Sequence, residues 1–167
     1  MGTVLSVAVD ISQLSAIQLL TLHARIGERL RELGITRSSN NPTGDLAEYL
    51  FCKAFKWTQA TKSTAHIDAL GADGLRYQIK GRRLTSHNPS RQLSWLHDLA
   101  GEHFDYLAGV LFKEDFSVQR AALIPCAVVR QFSKFVDPYD YRFVLRETVW
   151  DAPGVNDVTN KLRAVTL

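Results

Sequence analysis

The chain has 167 residues, of which 46% are hydrophobic and 22% are charged, so it is long and apolar enough to bury one core. This composition excludes intrinsic disorder, and no internal repeat or long linker divides the sequence, which predicts one domain over residues 1–167. A formal charge of +3 is too small for a protein that coats nucleic acid with a uniformly basic surface.

The charge is distributed unevenly along the chain. Eight basic and only two acidic residues lie between Lys53 and Arg91, so this segment carries +6 and the rest of the chain carries −3. Such a segment is either the footprint of a polyanion or a solvated face, and both interpretations stay open.

Neither a membrane segment nor a disulfide framework is indicated. No apolar run reaches the length of about eighteen residues that spans a bilayer, and the N-terminus lacks the pattern of a signal peptide. Cys52 and Cys126 lie far apart in apolar surroundings, which favours reduced thiols. We therefore expect a cytoplasmic protein with no membrane partner.

Two helices are predicted in the first third of the chain. The first has apolar residues at steps of three and four, with Asp10 or Ser12 at its start and Gly34 at its end. We expect its apolar stripe to pack in the core, with a dimer contact as the alternative. The second helix, residues 43–56, carries Glu48 at the border of its own apolar stripe. The first stripe consists of Leu19, Leu22, Ile26, Leu30 and Leu33, and the second of Leu46, Leu50 and Ala54.

Two segments of alternating polarity follow, residues 65–70 and 75–83, separated by the turn GADG. A hairpin built from them places the apolar side chains on one face and Asp68, Gln78 and Lys80 on the other. An acid, an amide and an amine are thus expected to converge on one surface.

The remaining pattern predicts alternating helices and strands. Leucines at steps of three in PSRQLSWLHDLAGE predict a helix of about three turns. FDYLAGVLF and VQRAALIP predict two strands, CAVVRQFSKF a short helix, YRFVLRETV a strand and VNDVTNKLRAV a terminal helix.

The string IDALGADGLRYQIKGRR, with Asp68 before the tripeptide Gln78-Ile79-Lys80, resembles the PD-(D/E)XK nuclease superfamily in a Gln-X-Lys variant. The helix that carries Glu48 in GDLAEYLFCKAF precedes it, as in that family. The resemblance implies an α/β (α+β) fold with a restriction-endonuclease-like core, in which helices flank a central mixed sheet of four to five strands. It implies a catalytic core at residues 43–125, an N-terminal extension at 1–40 and a C-terminal extension at 126–167.

The resemblance also implies the roles of the site residues. Asp68 would be the central ligand of Mg²⁺ or Mn²⁺, with the Ile79 carbonyl, Glu48 and Gln78 as further ligands. Lys80 would hold or deprotonate the attacking water and counter the charge on the phosphate. The family's commonest pattern has an acid at the position of Gln78, and a neutral amide there lowers the expected metal affinity.

The function that these residues imply is metal-dependent hydrolysis of phosphodiester bonds, in DNA rather than RNA, by a restriction-type endonuclease or a related defence or repair nuclease. Cleavage of both strands at a specific sequence would require a homodimer. The alternative is an inactive nucleic-acid-binding or protein-interaction module on the same fold. The basic residues expected to bind nucleic acid are Arg76, Arg82, Arg83 and Lys62.

Overall fold

The computed structural model describes residues 9–61, 66–137 and 140–167. Within these residues, five α-helices and nine strands alternate along the chain, and a single 3₁₀ turn spans Leu99–Gly101. The helices are α1 (Ala16–Glu32), α2 (Thr43–Phe55), α3 (Cys126–Phe132), α4 (Glu147–Trp150) and α5 (Thr159–Arg163). The strands are β1 (Thr58–Gln59), β2 (Ala69–Leu70), β3 (Arg76–Arg83), β4 (Leu96–His97), β5 (Tyr106–Phe112), β6 (Val118–Pro125), β7 (Lys134–Asp137), β8 (Asp140–Arg142) and β9 (Asn156–Asp157).

The main sheet is mixed and has six strands within the described part of the chain, in the order β1-β2-β3-β5-β6-β9. β3 and β5 run parallel, and the other neighbouring pairs are antiparallel. A smaller sheet has the order β4-β8-β7. The expectation of a mixed sheet with flanking helices is therefore confirmed, although the sheet is larger than the four to five strands expected.

Hydrophobic clusters cover both faces of the main sheet. The first cluster joins α2 and α5 to one face and includes Phe51, Ile79 and Leu162. The second cluster joins α3, α4 and the smaller sheet to the other face and includes Phe143 and Leu145. Because side chains alternate along a strand, β5 and β6 contribute to both clusters.

α1 does not pack in the core, which corrects the expectation for its apolar stripe. None of its residues is buried, and Leu20 and Ile26 keep 66% and 52% of their surface exposed. Its start is capped by Ser15 in a capping box with Gln18, because Ser15 stands three residues before a side chain that can reach back to it. Gly34 follows the helix with a positive φ of 71°, as expected for its end. No helix among the described residues is long and apolar enough to cross a membrane.

The α-helix predicted at PSRQLSWLHDLAGE is absent, and this segment is extended up to the 3₁₀ turn Leu99–Gly101. Leu93 donates a backbone hydrogen bond to Phe143 at 3.0 Å, and Leu96 pairs with Tyr141 in the smaller sheet. The leucines at steps of three are still buried in the second cluster. Their spacing reflects burial of an extended segment rather than one face of a helix, and pairing with β8 takes the place of helical hydrogen bonds.

The other predicted elements are confirmed in part. β5, β6 and α3 lie where the pattern placed them, and α2 covers nearly all of the predicted second helix. The segment YRFVLRETV is divided between β8 and α4. In the described part of the first hairpin segment, residues 66–70, only Ala69–Leu70 is a strand. The terminal helix is confirmed as α5, preceded by the short strand β9.

Candidate active site

Asp68 lies immediately before β2, at the edge of β3. Its backbone N–H donates to the Tyr77 carbonyl, and its own carbonyl accepts from the Ala60 N–H, both at 2.8 Å. Its carboxylate Oδ2 accepts a hydrogen bond from the Ile79 N–H at 2.7 Å. Among the described residues, no group donates to Oδ1, so within this part of the chain only Oδ2 is fixed by β3.

The backbone carbonyl of Ile79 faces the same edge as this carboxylate. At the end of β3, the Leu84 N–H donates to the Phe112 carbonyl, so even-numbered residues of this stretch bond to β5 and odd-numbered residues face the opposite edge. The N–H and C=O of one strand residue point to the same side of the strand. Because the Ile79 N–H reaches Asp68, the Ile79 carbonyl also faces the Asp68 side of β3.

Gln78 is a buried polar side chain with unused hydrogen-bonding capacity. Only 7% of its surface is exposed, and its amide has no hydrogen-bond partner among the residues that the structure describes. It lies on the face of β3 opposite to Ile79, beside Leu107 of β5. The amide atoms of Gln78 are not among the fully buried side-chain atoms that lack a partner, so the amide is open to a water or a ligand.

Lys80 shares the face of Gln78, two residues further along β3. It is partly buried, and within the described ranges its ammonium group forms no hydrogen bond or ion pair. Its neighbour on β5 is Gly109, and the space over that glycine is filled by Leu145 and Leu93, which would lie 3.2 and 3.5 Å from a Cβ there. A partly desolvated ammonium without a partner favours the approach of an anion.

Glu48 approaches this edge from α2, which packs on the opposite face of the sheet. Its side chain is 16% exposed, and Oε2 accepts from Gln59 Nε2 at 2.8 Å and forms an ion pair with Arg37. Burial and then the charge of Asp68 raise the pKa of Glu48, while Gln59 and Arg37 act in the opposite direction. The carboxylates of Glu48 and Asp68 are therefore close enough to repel each other.

The candidate ligands near this edge are oxygen atoms, the donor type that a hard divalent cation prefers. In the described part of the chain, no group of three or more His, Cys, Asp and Glu side chains is arranged to hold a metal ion. Mg²⁺ needs only one or two carboxylates because it keeps several waters. Asp68 and Glu48 supply two carboxylates, and the Ile79 carbonyl and Gln78 amide supply neutral oxygens of the kind that Mg²⁺ and Mn²⁺ accept.

Arg37 and Gln59 contact Glu48 but carry no sequence signal. Both lie eleven residues from Glu48, on either side, and neither belongs to the periodic pattern of a helix or a strand. The loop that carries Arg37 is fixed by Asp45, whose Oδ2 accepts from the N–H groups of Arg37 and Ser38 at 2.9 Å each. The contact between Arg37 and Glu48 therefore depends on how the loop that carries Arg37 folds back onto α2.

Cys52 lies one turn after Glu48 on α2 but is not suited to be a nucleophile. Burial, followed by the nearby charge of Glu48, raises the pKa of its thiol to about 11. The thiol therefore stays protonated at neutral pH. Because only the thiolate is a good nucleophile, Cys52 is unreactive there. Both cysteines are unpaired, in agreement with the expectation of reduced thiols.

The basic residues differ in their surroundings. Arg76 is bound by Asp105, which accepts from its backbone N–H at 2.7 Å and from Nε and Nη2 at 3.1 and 2.9 Å, so its charge is neutralised. Arg82 and Arg83 lie beyond Lys80 and bond to neutral oxygens. Lys62 lies outside the described residues.

Comparison with known proteins does not assign the chain to a family. No protein-family model matches the chain, and no curated protein matches it.

Proposed function

We propose that this protein is a metal-dependent nuclease that hydrolyses phosphodiester bonds in DNA. The observation that carries the proposal is the arrangement around β3. The Asp68 carboxylate accepts from the Ile79 N–H, and the Gln78 amide and the Lys80 ammonium, which share one face of β3, have no partner among the described residues. Phosphodiester hydrolysis needs a bound cation, a positioned water and a positive group near the phosphate, and these side chains match that demand.

Each residue has a distinct role in this proposal. The carboxylates of Asp68 and Glu48 would hold Mg²⁺ or Mn²⁺, with the Ile79 carbonyl and the Gln78 amide oxygen as neutral ligands. When bound, the cation supplies a water of lowered pKa and compensates charge on the phosphoryl oxygens. Lys80 donates hydrogen bonds to the attacking water and to the phosphate, which orients the water and stabilises the transition state.

Arg37 gives a specific reason to consider the inactive alternative. Its guanidinium already compensates the Glu48 carboxylate, and Gln78 brings no negative charge to the site. A module that binds nucleic acid without cutting it would keep the same residues. The two functions differ in one measurable property, which is turnover.

The test is an assay of DNA cleavage with Mg²⁺, with Mn²⁺ and with EDTA. The substrates are supercoiled plasmid, linear duplex, single-stranded DNA and RNA. We expect metal-dependent cutting of DNA by the wild type, and a rate at least about a hundredfold lower for Asp68→Asn and Lys80→Met. Asp68→Asn keeps an oxygen that can accept from the Ile79 N–H, so the fold of this edge is retained.

Two matched variants control for contamination and for loss of charge. Asp151→Asn and Lys134→Met change exposed residues away from β3 and should cut at the rate of the wild type. Cutting by Asp68→Asn at the wild-type rate would contradict the assignment. Binding of DNA without cutting under every metal condition would establish the inactive module instead.

The proposal includes a homodimer if both strands of a duplex are cut. One chain has one such site, and two-fold symmetry would present one site to each strand. Sedimentation of the protein with and without duplex DNA measures this directly. Conversion of supercoiled plasmid only to the nicked form, by a protein that stays monomeric, would exclude double-strand cleavage by a dimer.

A further inference from the structure

A polar cleft of about 460 Å³ lies between the end of β3 and the start of α2. None of its nine lining residues is acidic. Charged or polar side chains that line it include Arg82, Arg83, Asn41, Thr43, Asn88 and Ser94. The cleft therefore combines two cations with neutral hydrogen-bonding groups.

Arg82 is held in place by neutral acceptors. Its Nε donates to the Ser90 carbonyl at 3.1 Å, and its Nη2 donates to Asn88 Oδ1 at 3.0 Å. Asn88 is itself fixed by Thr85, because the backbone groups of these two residues bond reciprocally at 3.2 and 3.1 Å. The guanidinium is thus oriented in advance while its charge remains uncompensated.

Arg83 is held in a similar way on the other side of the strand. Its Nε donates to the Glu114 carbonyl at 2.8 Å, and its guanidinium lies over the Phe116 ring, 4.3 Å from the ring centre. Within the described residues, neither Arg82 nor Arg83 forms an ion pair. Arg91, by contrast, pairs with Glu147. The two cleft arginines keep their charge for a ligand.

The spacing along β3 relates this cleft to the candidate active site. Lys80 and Arg82 lie on the same face, two residues apart, which is about 6.6 Å along a strand. Successive phosphates along one nucleic-acid strand are separated by a comparable distance. A strand with its scissile phosphate at Lys80 therefore brings the next phosphate to Arg82.

We propose that this cleft binds the DNA backbone phosphate adjacent to the scissile one, with Arg82 as its ligand and Arg83 adding positive charge from the other face of β3. Arginine suits this role because its forked donors bind two phosphate oxygens at once. The position relative to the scissile bond rests on the proposed nuclease function. Binding of backbone phosphate in the cleft does not, and it can be tested separately.

The test measures binding of a fluorescein-labelled duplex oligonucleotide in EDTA, where no metal-dependent cutting occurs. Arg82→Gln should weaken binding about tenfold, the equivalent of one hydrogen bond to a charged group, and Arg83→Gln should weaken it less. Arg82→Gln should also reduce the slope of log K against log salt by about 0.9, the value for one lost phosphate contact on a duplex. Arg82→Lys should retain part of the affinity because it keeps the charge.

Arg146→Gln is the matched control, since it removes the same charge from an exposed site outside the cleft. It should bind with the affinity and slope of the wild type. Cleft variants that behave like Arg146→Gln, or a wild type that does not bind the duplex, would overturn the proposal. Equal losses on single-stranded DNA and on RNA would show that the cleft reads a phosphate without preference for duplex DNA, which overturns the choice of ligand.

A second measurement separates this inference from the nuclease proposal. In a substrate with a mapped cleavage point, one neutral methylphosphonate at the neighbouring linkage should slow cutting by the wild type but add little to the defect of Arg82→Gln. If the methylphosphonate and Arg82→Gln lowered the cutting rate additively, Arg82 would lie away from that phosphate. If the wild type binds through the cleft but never cuts, the nuclease proposal fails and the phosphate site stands.

Discussion

At the scale of single residues, Asp45 is the carboxylate that fixes the loop before α2. Its Oδ2 accepts three hydrogen bonds at 2.9 Å, one from the Arg37 N–H and two from the N–H and hydroxyl of Ser38. Burial raises the pKa of Asp45, but these hydrogen bonds outweigh it and lower the pKa below its ordinary value of 3.8. The ionised form therefore stabilises the fold, and it positions Arg37 against Glu48.

We expect Asp45→Ala to lower the free energy of unfolding by about 1–3 kcal/mol at pH 7, because it leaves partly buried N–H groups without an acceptor. A lowered pKa in the folded state gives stability that is present above the unfolded pKa and is lost as the pH falls through the folded pKa. The difference between variant and wild type should thus shrink below about pH 4. Urea denaturation at several pH values, followed by tryptophan fluorescence, measures this difference in the free energy of unfolding.

Asp151→Ala is the control for this prediction. The Asp151 side chain is exposed and forms no hydrogen bond or ion pair among the described residues, so the change should stay within about 0.5 kcal/mol. A deficit in Asp45→Ala that is the same at pH 7 and pH 3 would show that packing, rather than the ionised carboxylate, holds the loop.

The candidate site was partly predictable at this scale. Alternation along β3 placed Gln78 and Lys80 on one face, since a strand repeats every two residues. The same rule does not specify the direction of the Asp68 carboxylate, which accepts from the Ile79 N–H at the edge of β3. The contact of Arg37 with Glu48 depends on a loop, and loops have no period from which to predict it.

At the scale of elements, α1 shows that an amphipathic pattern does not determine what a helix packs against. Its stripe repeats at helical spacing and its ends are capped, so the element itself was predictable. Its surroundings were not, because burial depends on the connection at residues 33–42 and on the position of α2. An isolated helix of this length is marginal in water, so its capping box matters for its stability.

We expect Leu20→Gln and Ile17→Gln on α1 to change the free energy of unfolding by less than about 0.5 kcal/mol, because both side chains are mostly exposed. Leu50→Ala on α2 removes a buried side chain of the first cluster and should cost about 2–5 kcal/mol. Urea denaturation at two protein concentrations provides the measurement. A concentration-dependent loss confined to the α1 variants would indicate that α1 contributes to self-association.

The connection between β3 and β5 was the least predictable element. Parallel strands need a long crossover, and a helix is its usual form. Here an extended segment carries Leu93 and Leu96 into the second cluster, and it contains Asp98 and Glu102 with positive φ values of 45° and 48°. Local pattern favoured a helix, whereas backbone pairing with β8 and the tight turns at these residues favour an extended path.

At the scale of the whole molecule, the main sheet lies between the two clusters, and its central strands contribute side chains to both. β5 contributes Val110 to the first cluster and Leu107 and Leu111 to the second, so it cannot leave either cluster without disrupting the other. Trp57 packs against the first cluster and Trp150 against the second. This sharing of a central strand favours unfolding of both clusters in one transition.

The prediction is that a cavity in either cluster lowers the stability of both. Leu50→Ala in the first cluster and Leu145→Ala in the second should each lower the free energy of unfolding by about 2–5 kcal/mol, since both side chains are buried. The chain also contains Trp95, so both backgrounds carry Trp95→Phe. With Trp150→Phe added, fluorescence reports on Trp57, and with Trp57→Phe added, it reports on Trp150. Both backgrounds should show the same midpoint of unfolding, and either cavity should shift that midpoint by the same amount in each background.

If Leu145→Ala moved the midpoint reported by Trp150 and left that reported by Trp57 in place, the clusters would unfold as separate units. In that case the α2 side of the sheet, which carries Glu48, would keep its structure without the α3 side.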